Sequence, residues 1–229
     1  MKNTYQNSTR IETLLKIFND RRTESMRIRV GLMQDFIAKY SRLKSKLDAQ
    51  RKEKFNLIEI FNIVTDEVRH SSFLAWLLDA GAGHQQNDLF FNAFLKLCNI
   101  DIDLGHLIGY KVRTEFPEVE SIIDILIYRK SSFLIYIENK VYSEEGQDQC
   151  AREARDMHRL GARLNVPENR RYAVFLTPDG REPCIGDNEL WRSISYRQLG
   201  TIFKELMPKI SSEKVRYALE DWLEVIMNF

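Results

Sequence analysis

The stretch IIDILIYRKSSFLIYIENKV, residues 122–141, constrains the fold more than any other part of the chain. Two runs of β-branched and aromatic residues flank the polar segment Arg129–Ser132, which predicts strands over 122–128 and 133–141 joined by a short turn. The second run is strongly apolar and should be buried, yet it carries Glu138 and Lys140 two positions apart. Side chains alternate along a strand, so these two share one side of the sheet while Asn139 faces the other. Counting back around the turn pairs Tyr128 with Phe133 and brings Asp124 beside Ile137 or Glu138. Two carboxylates and an ammonium then converge in a partly apolar setting, where each charge that loses water needs an equivalent interaction in return.

The rest of the chain supplies partners for that hairpin. Residues 110–116 and 172–177 read as further strands. Helical periodicity predicts helices near 56–64, 68–79 and 86–98, with Gly81 and Gly83 releasing the chain between the second and third. A polar helix from Glu144 to about Leu164 is long enough for a crossover, and two more helices follow Tyr196 and Ser211. Helices, three strands, a helix, a strand and helices imply an α/β (α+β) domain with a mixed central sheet flanked by helices. Ahead of it, residues 11–50 read as a short helix followed by a long amphipathic one. Its stripe of Met26, Val30, Met33, Ile37, Tyr40 and Leu47 suits either packing on its own domain or a homodimer seam. KEKFN, residues 52–56, marks the boundary between a helical amino-terminal arm over 1–54 and a domain over 55–229.

Composition narrows the function classes without choosing among them. Lys and Arg total 34 against 33 Asp and Glu, a formal charge of +1, so net charge argues neither for nor against a polyanion. Three widely spaced cysteines, Cys98, Cys150 and Cys184, fit neither a disulfide framework nor paired zinc ligands, which points to a reducing cytoplasm. The opening MKNTYQNSTR lacks the apolar run of a signal peptide, and no stretch approaches the roughly 18 apolar residues of a membrane span. A cytoplasmic protein with no membrane partner is expected.

A divalent cation would resolve the charge cluster. Mg²⁺ takes oxygen ligands, commonly one or two carboxylates, and leaves its other positions to water and a substrate phosphate. Asp124 and Glu138 can hold such an ion, with the backbone carbonyl of Asn139 as a third protein ligand. Lys140 could orient or deprotonate the attacking water, or stabilise charge developing on a scissile phosphate. The chemistry is phosphodiester hydrolysis.

Asp124 followed on the next strand by Glu138-Asn139-Lys140 resembles the PD-(D/E)XK nuclease superfamily. The flanking stretches VRHSSFLAWLLDAGAGH (68–84) and IENKVYSEEGQDQ (137–149) are similar to its bacterial and phage branch. The resemblance spans about residues 56–200 and implies a restriction-endonuclease-like fold with a metal-dependent site at one edge of the sheet. It implies Asp124 and Glu138 as metal ligands, Lys140 as the catalytic lysine and Gln149 as a helix residue beside the site. An additional acid is expected from the first core helix, with Glu67 the candidate and Glu115 the second choice. It also implies Mg²⁺ as cofactor with Mn²⁺ able to substitute, DNA as the nucleic-acid substrate, and a setting in phage defence or mobile-element biology. The chain departs from the pattern in three places: Ile123 stands where the superfamily name has proline, Ile122 where a basic residue is expected, and Glu153 where the helix would bear a tyrosine.

Other features admit plainer readings. Arg152, Arg155, Arg159 and Arg163 recur at helical spacing and form either a solvated face or a set of nucleic-acid phosphate contacts. His70 lies one turn from Glu67 and suits a structural hydrogen bond as well as a catalytic one. His84, in the glycine break, reads as a cap or loop contact. The competing functional class is a non-catalytic nucleic-acid-binding or assembly subunit that keeps the nuclease fold. An intact Asp-Glu-Lys set argues against it.

Overall fold

The computed structural model describes residues 21–46 except 22 and 25, and residues 55–102, 109–146, 148–183 and 190–229. The shorter amino-terminal helix, Leu47, most of KEKFN and Cys184 lie outside the described residues. The chain divides into two compact units, Met1–Asn56 and Leu57–Phe229. Within the first, one helix, α1, runs over residues 26–46. Its stripe residues Met26, Val30, Met33, Ile37 and Tyr40 are all exposed, and Phe36 stacks on Tyr40.

The second unit contains α2 (Leu57–Ile60), α3 (Glu67–Leu78), α4 (Leu89–Leu97), β1 (Lys111–Pro117), β2 (Ile122–Arg129), β3 (Phe133–Asn139), α5 (Gln149–Arg163), β4 (Arg171–Thr177), β5 (Trp191–Ser195), α6 (Tyr196–Leu206) and α7 (Glu213–Ile226). The five strands form one sheet in the order β1-β2-β3-β4-β5. Strands β1 to β3 are antiparallel, whereas β3 with β4 and β4 with β5 run parallel. Crossing from β3 to β4 requires a long connection, and α5 provides it.

Three expectations need correction. The β2–β3 register lies one residue from the sequence count: Arg129 faces Phe133 and Tyr128 faces Leu134. Ser131, at φ 59°, turns the chain in three residues instead of four. The helix expected over 56–64 is the single turn Leu57–Ile60, and Asn62 at φ 54° leaves helical geometry just beyond it. The last strand, β5, was not anticipated, because WRSIS is short and runs directly into α6.

Alternation divides the interior into two layers. Ile125, Ile127, Ile135 and Ile137 pack with the aromatic and leucine faces of α3, α4, α6 and α7. Leu126, Leu134 and Tyr136, from the opposite face, pack with Met157 and Leu160 of α5. Helix starts are fixed by side-chain oxygens. Asp66 accepts from the Arg69 N–H at the head of α3, and Ser195 and Gln198 form a reciprocal capping box at the head of α6. Thus β3 lies in the middle of the sheet, and the end of β3 is where both layers meet.

Candidate active site

The register correction brings the two strand acids face to face. Ile125 pairs with Ile137, so one step farther along the hairpin sets Asp124 opposite Glu138. The regular ladder stops there because the Asp124 side chain intervenes: the Asn139 N–H donates to Asp124 Oδ2 at 2.7 Å. Glu138 lies on the α5 face of β3, and Lys140, one residue past the strand's end, brings its Nζ to 2.9 Å from Glu138 Oε1. Both side chains are largely removed from solvent, 11% and 2% exposed, so this is a buried pair. Gln149, first residue of α5, donates its side-chain amide to the same Glu138 oxygen. Lys140 and Gln149 line a cleft of about 630 Å³ together with Tyr142, Cys150, Asp179 and Arg181.

Asn139 anchors this edge from the other layer. Its side-chain amide donates to Ser71 Oγ at 2.9 Å and to the Glu67 carbonyl at 3.1 Å, and its Oδ1 accepts from the Tyr196 hydroxyl at 2.6 Å. One residue thus ties β3 to α3 and α6 through its side chain while its main chain orients Asp124.

Glu67 lies next to the same edge and is fully engaged. Its Oε1 accepts from the backbone amides of Val141, Tyr142 and Ser143, and the Ser143 hydroxyl donates to both carboxylate oxygens. Burial opposes its charge, but the Ser143 hydroxyl, these amides and the Lys140 ammonium outweigh burial and hold Glu67 below the usual carboxylate range. The acid from the first core helix therefore fastens the segment that follows Lys140.

Glu153, which the sequence pattern does not single out as a site residue, belongs to this cluster. It lies one helical turn beyond Gln149 on the buried face of α5, is 2% exposed, and interacts electrostatically with Gln149 and Glu138. Its Oε1 is buried with no hydrogen-bond partner. The available signal was the four-residue spacing from Gln149, which places both side chains on one helix face. Reading Glu153 only as a missing tyrosine obscured it.

Three buried carboxyls now share one ammonium, and their proton affinities rise accordingly. Burial, then the neighbouring Glu138 charge, pushes Asp124 up to about 8. Burial, then Glu153, pushes Glu138 up to about 8 despite Lys140, and burial raises Glu153 to about 7. Burial works against the Lys140 charge, but Glu138, Asp124 and Glu67 outweigh it and hold the ammonium above its ordinary value. One ammonium cannot compensate three carboxyls, which is why Lys140 stays charged while its partner is driven toward the neutral form. Among the described residues, no three His, Cys, Asp or Glu side chains already surround a common point as metal ligands. The donor set nevertheless fits a hard divalent cation, since it offers carboxylate oxygens in excess of positive charge and one of them is orphaned.

The arginine stripe on α5 has partners of its own. Arg155 and Arg159 both bind the Glu120 carboxylate, Arg152 donates to the Glu120 carbonyl at 3.2 Å, and Arg163 pairs with Glu118. Asp156, fully buried, pairs with Arg159 and accepts from the Glu120 N–H and the Ser121 hydroxyl. The stripe clasps the β1–β2 connection. His70 accepts from the Trp222 indole and meets the Val64 carbonyl at 2.8 Å, and His84 bridges the Asp79 carbonyl and the Gln86 N–H. Glu115, at φ 48°, sits on exposed β1 beside Asp124 and contributes to raising that acid.

A family model described as the PD-(D/E)XK nuclease superfamily matches residues 55–228. No curated protein and no solved structure matches the chain. Among the described residues, no helix is long and apolar enough to cross a membrane.

Proposed function

The chain belongs to the PD-(D/E)XK nuclease superfamily, and from that premise we propose that it is a Mg²⁺-dependent nuclease that hydrolyses phosphodiester bonds of DNA. Its mixed five-strand sheet flanked by helices is consistent with the restriction-endonuclease-like fold of that superfamily. The observation that carries the proposal is the placement of Asp124 opposite Glu138, one step beyond the last ladder pair Ile125–Ile137, with Lys140 2.9 Å from Glu138 at the wall of a cleft.

Asp124, Glu138 and the Asn139 carbonyl would hold the ion, with Mn²⁺ able to substitute. When bound, such an ion supplies Lewis-acid polarisation of the phosphate and a more acidic water. The protein's own groups do the positioning. The Asn139 N–H fixes Asp124, and Gln149 fixes Glu138. Lys140 would stabilise charge on the phosphate or orient the water. Glu67 contributes by holding the 141–143 segment and hence the wall of the cleft. Contact of Arg152, Arg155 and Arg159 with substrate phosphates remains part of the proposal, in competition with their hold on residues 118–121. The unpaired, buried Cys98 and Cys150 support a cytoplasmic location, and the exposed α1 stripe supports a homodimer through that helix. A role in phage defence or mobile-element biology completes the reading.

The test is cleavage of circular DNA, linear DNA and RNA by purified protein with Mg²⁺, with Mn²⁺ and with chelator. Metal-stimulated, chelator-sensitive cutting of DNA is expected. Equal cutting with and without chelator would refute the metal assignment, and cutting of RNA alone would refute DNA as substrate.

A further inference from the structure

We infer that Glu153 is a third metal-binding carboxylate, presented by α5 to the same ion as Asp124 and Glu138; this rests on the metal-dependent reading above. Glu153 lies one turn from Gln149 on the buried face of α5, is 2% exposed, and Gln149 itself donates to Glu138. Buried carboxyls gathered on one side of the sheet need a proton or a cation to offset their charge. Lys140 lies against Glu138, and the Glu153 oxygen Oε1 has no partner at all. A buried carboxylate oxygen without a donor is costly, and nothing in the packing of α5 requires an acid there. Its helix neighbours on the same face, Met157 and Leu160, are apolar and fill the space against β2 and β3.

Charge supports the same conclusion. Once ionised, Asp124, Glu138 and Glu153 against Lys140 leave an excess of two negative charges, which a single divalent cation neutralises. Gln149 donates to Glu138 and lies one helical turn from Glu153, so α5 sets the spacing of the two carboxyls that one ion would span. With ligands from β2, β3 and α5, ion binding would fasten the crossover helix to the hairpin. A two-strand ligand set would leave α5 tied to the site through Gln149 alone.

The test measures binding of MnCl₂ alone by titration calorimetry to the parent protein, Glu153→Gln, Glu153→Leu and Glu138→Gln, with circular dichroism confirming that each is folded. Loss of a ligand carboxylate should weaken Mn²⁺ binding in either Glu153 variant by more than the roughly 10- to 100-fold that losing a group which only supports a ligand costs. Leucine guards against the case in which the glutamine carboxamide disturbs the packing, because it suits an apolar helix face. If Glu138→Gln loses Mn²⁺ while both Glu153 variants bind it as the parent does, the inference is overturned and the nuclease reading stands. If the parent itself binds no Mn²⁺, the metal-dependent reading fails and takes this inference with it.

Discussion

Replacing Asp124 by asparagine should stabilise the metal-free protein while abolishing cleavage. The carboxyl is held at about 8 instead of its ordinary 3.8 by burial and by Glu138. Folding at pH 7 therefore forces a proton onto a group that would be ionised in the unfolded chain. Each pH unit of that mismatch costs about 1.4 kcal/mol, so some three units oppose folding by about 4 kcal/mol. Part of that cost is shared with Glu138, which leaves about 2–4 kcal/mol for the substitution to recover. Asparagine keeps an oxygen to accept the Asn139 N–H, so the main-chain contact survives. The pH dependence carries the sign. Because the folded value is raised, the carboxyl penalises folding least below about pH 4, and the penalty grows as pH rises toward about 8. Thermal unfolding in chelator should show Asp124→Asn and parent together near pH 4, and the variant higher by about 4–16 °C near pH 8. Saturating Mg²⁺ should close or reverse that gap, since the ion stabilises only the protein that binds it. Superimposable melting temperatures at pH 4 and pH 8 would refute the account of a carboxyl cluster waiting for a cation.

Three further outcomes are expected. Lys140→Met should keep the sheet folded and still bind divalent metal while single-turnover cleavage falls by orders of magnitude; parental cleavage would make the lysine structural. Serine at Arg152, Arg155 and Arg159 together should flatten the salt dependence of DNA binding if these guanidiniums reach phosphates, and an unchanged slope would confine them to holding Glu120. Tyr196→Phe leaves the buried Asn139 Oδ1 without its donor and should cost about 1–3 kcal/mol in chemical denaturation, with a value near zero showing that the bond is dispensable.

The hairpin was legible because its evidence is local. Period-two patterning over 122–141 fixes which residues share a face, and a miscount of one residue in the turn still left Asp124 within reach of Glu138. That miscount came from Ser131, whose left-handed backbone no pattern in RKSS announces. Asn139, read for its carbonyl alone, proved to be a junction, because Ser71 and Tyr196 lie 68 and 57 residues away in sequence and only the packed layers bring them together. The same distance hid the purpose of the arginine stripe, whose partners Glu118 and Glu120 sit in a connection that looks like ordinary solvent-facing turn. Glu153 was a different failure. The helix spacing was available, but its meaning depends on α5 lying against the β2–β3 face, which periodicity does not specify.

Asn139 makes the accuracy of the chemistry a property inherited from the interior. Its main chain aims an acid while its amide is bolted to two helices on the far side of the sheet, so small displacements of α3 or α6 must be transmitted to Asp124. Cleavage-deficient clones from random mutagenesis should then map to Ser71, Tyr196 and their helix neighbours as well as to the cleft. Many of those clones would still accumulate as folded protein, because a shift of a fraction of an ångström can silence the reaction without melting the domain that carries it.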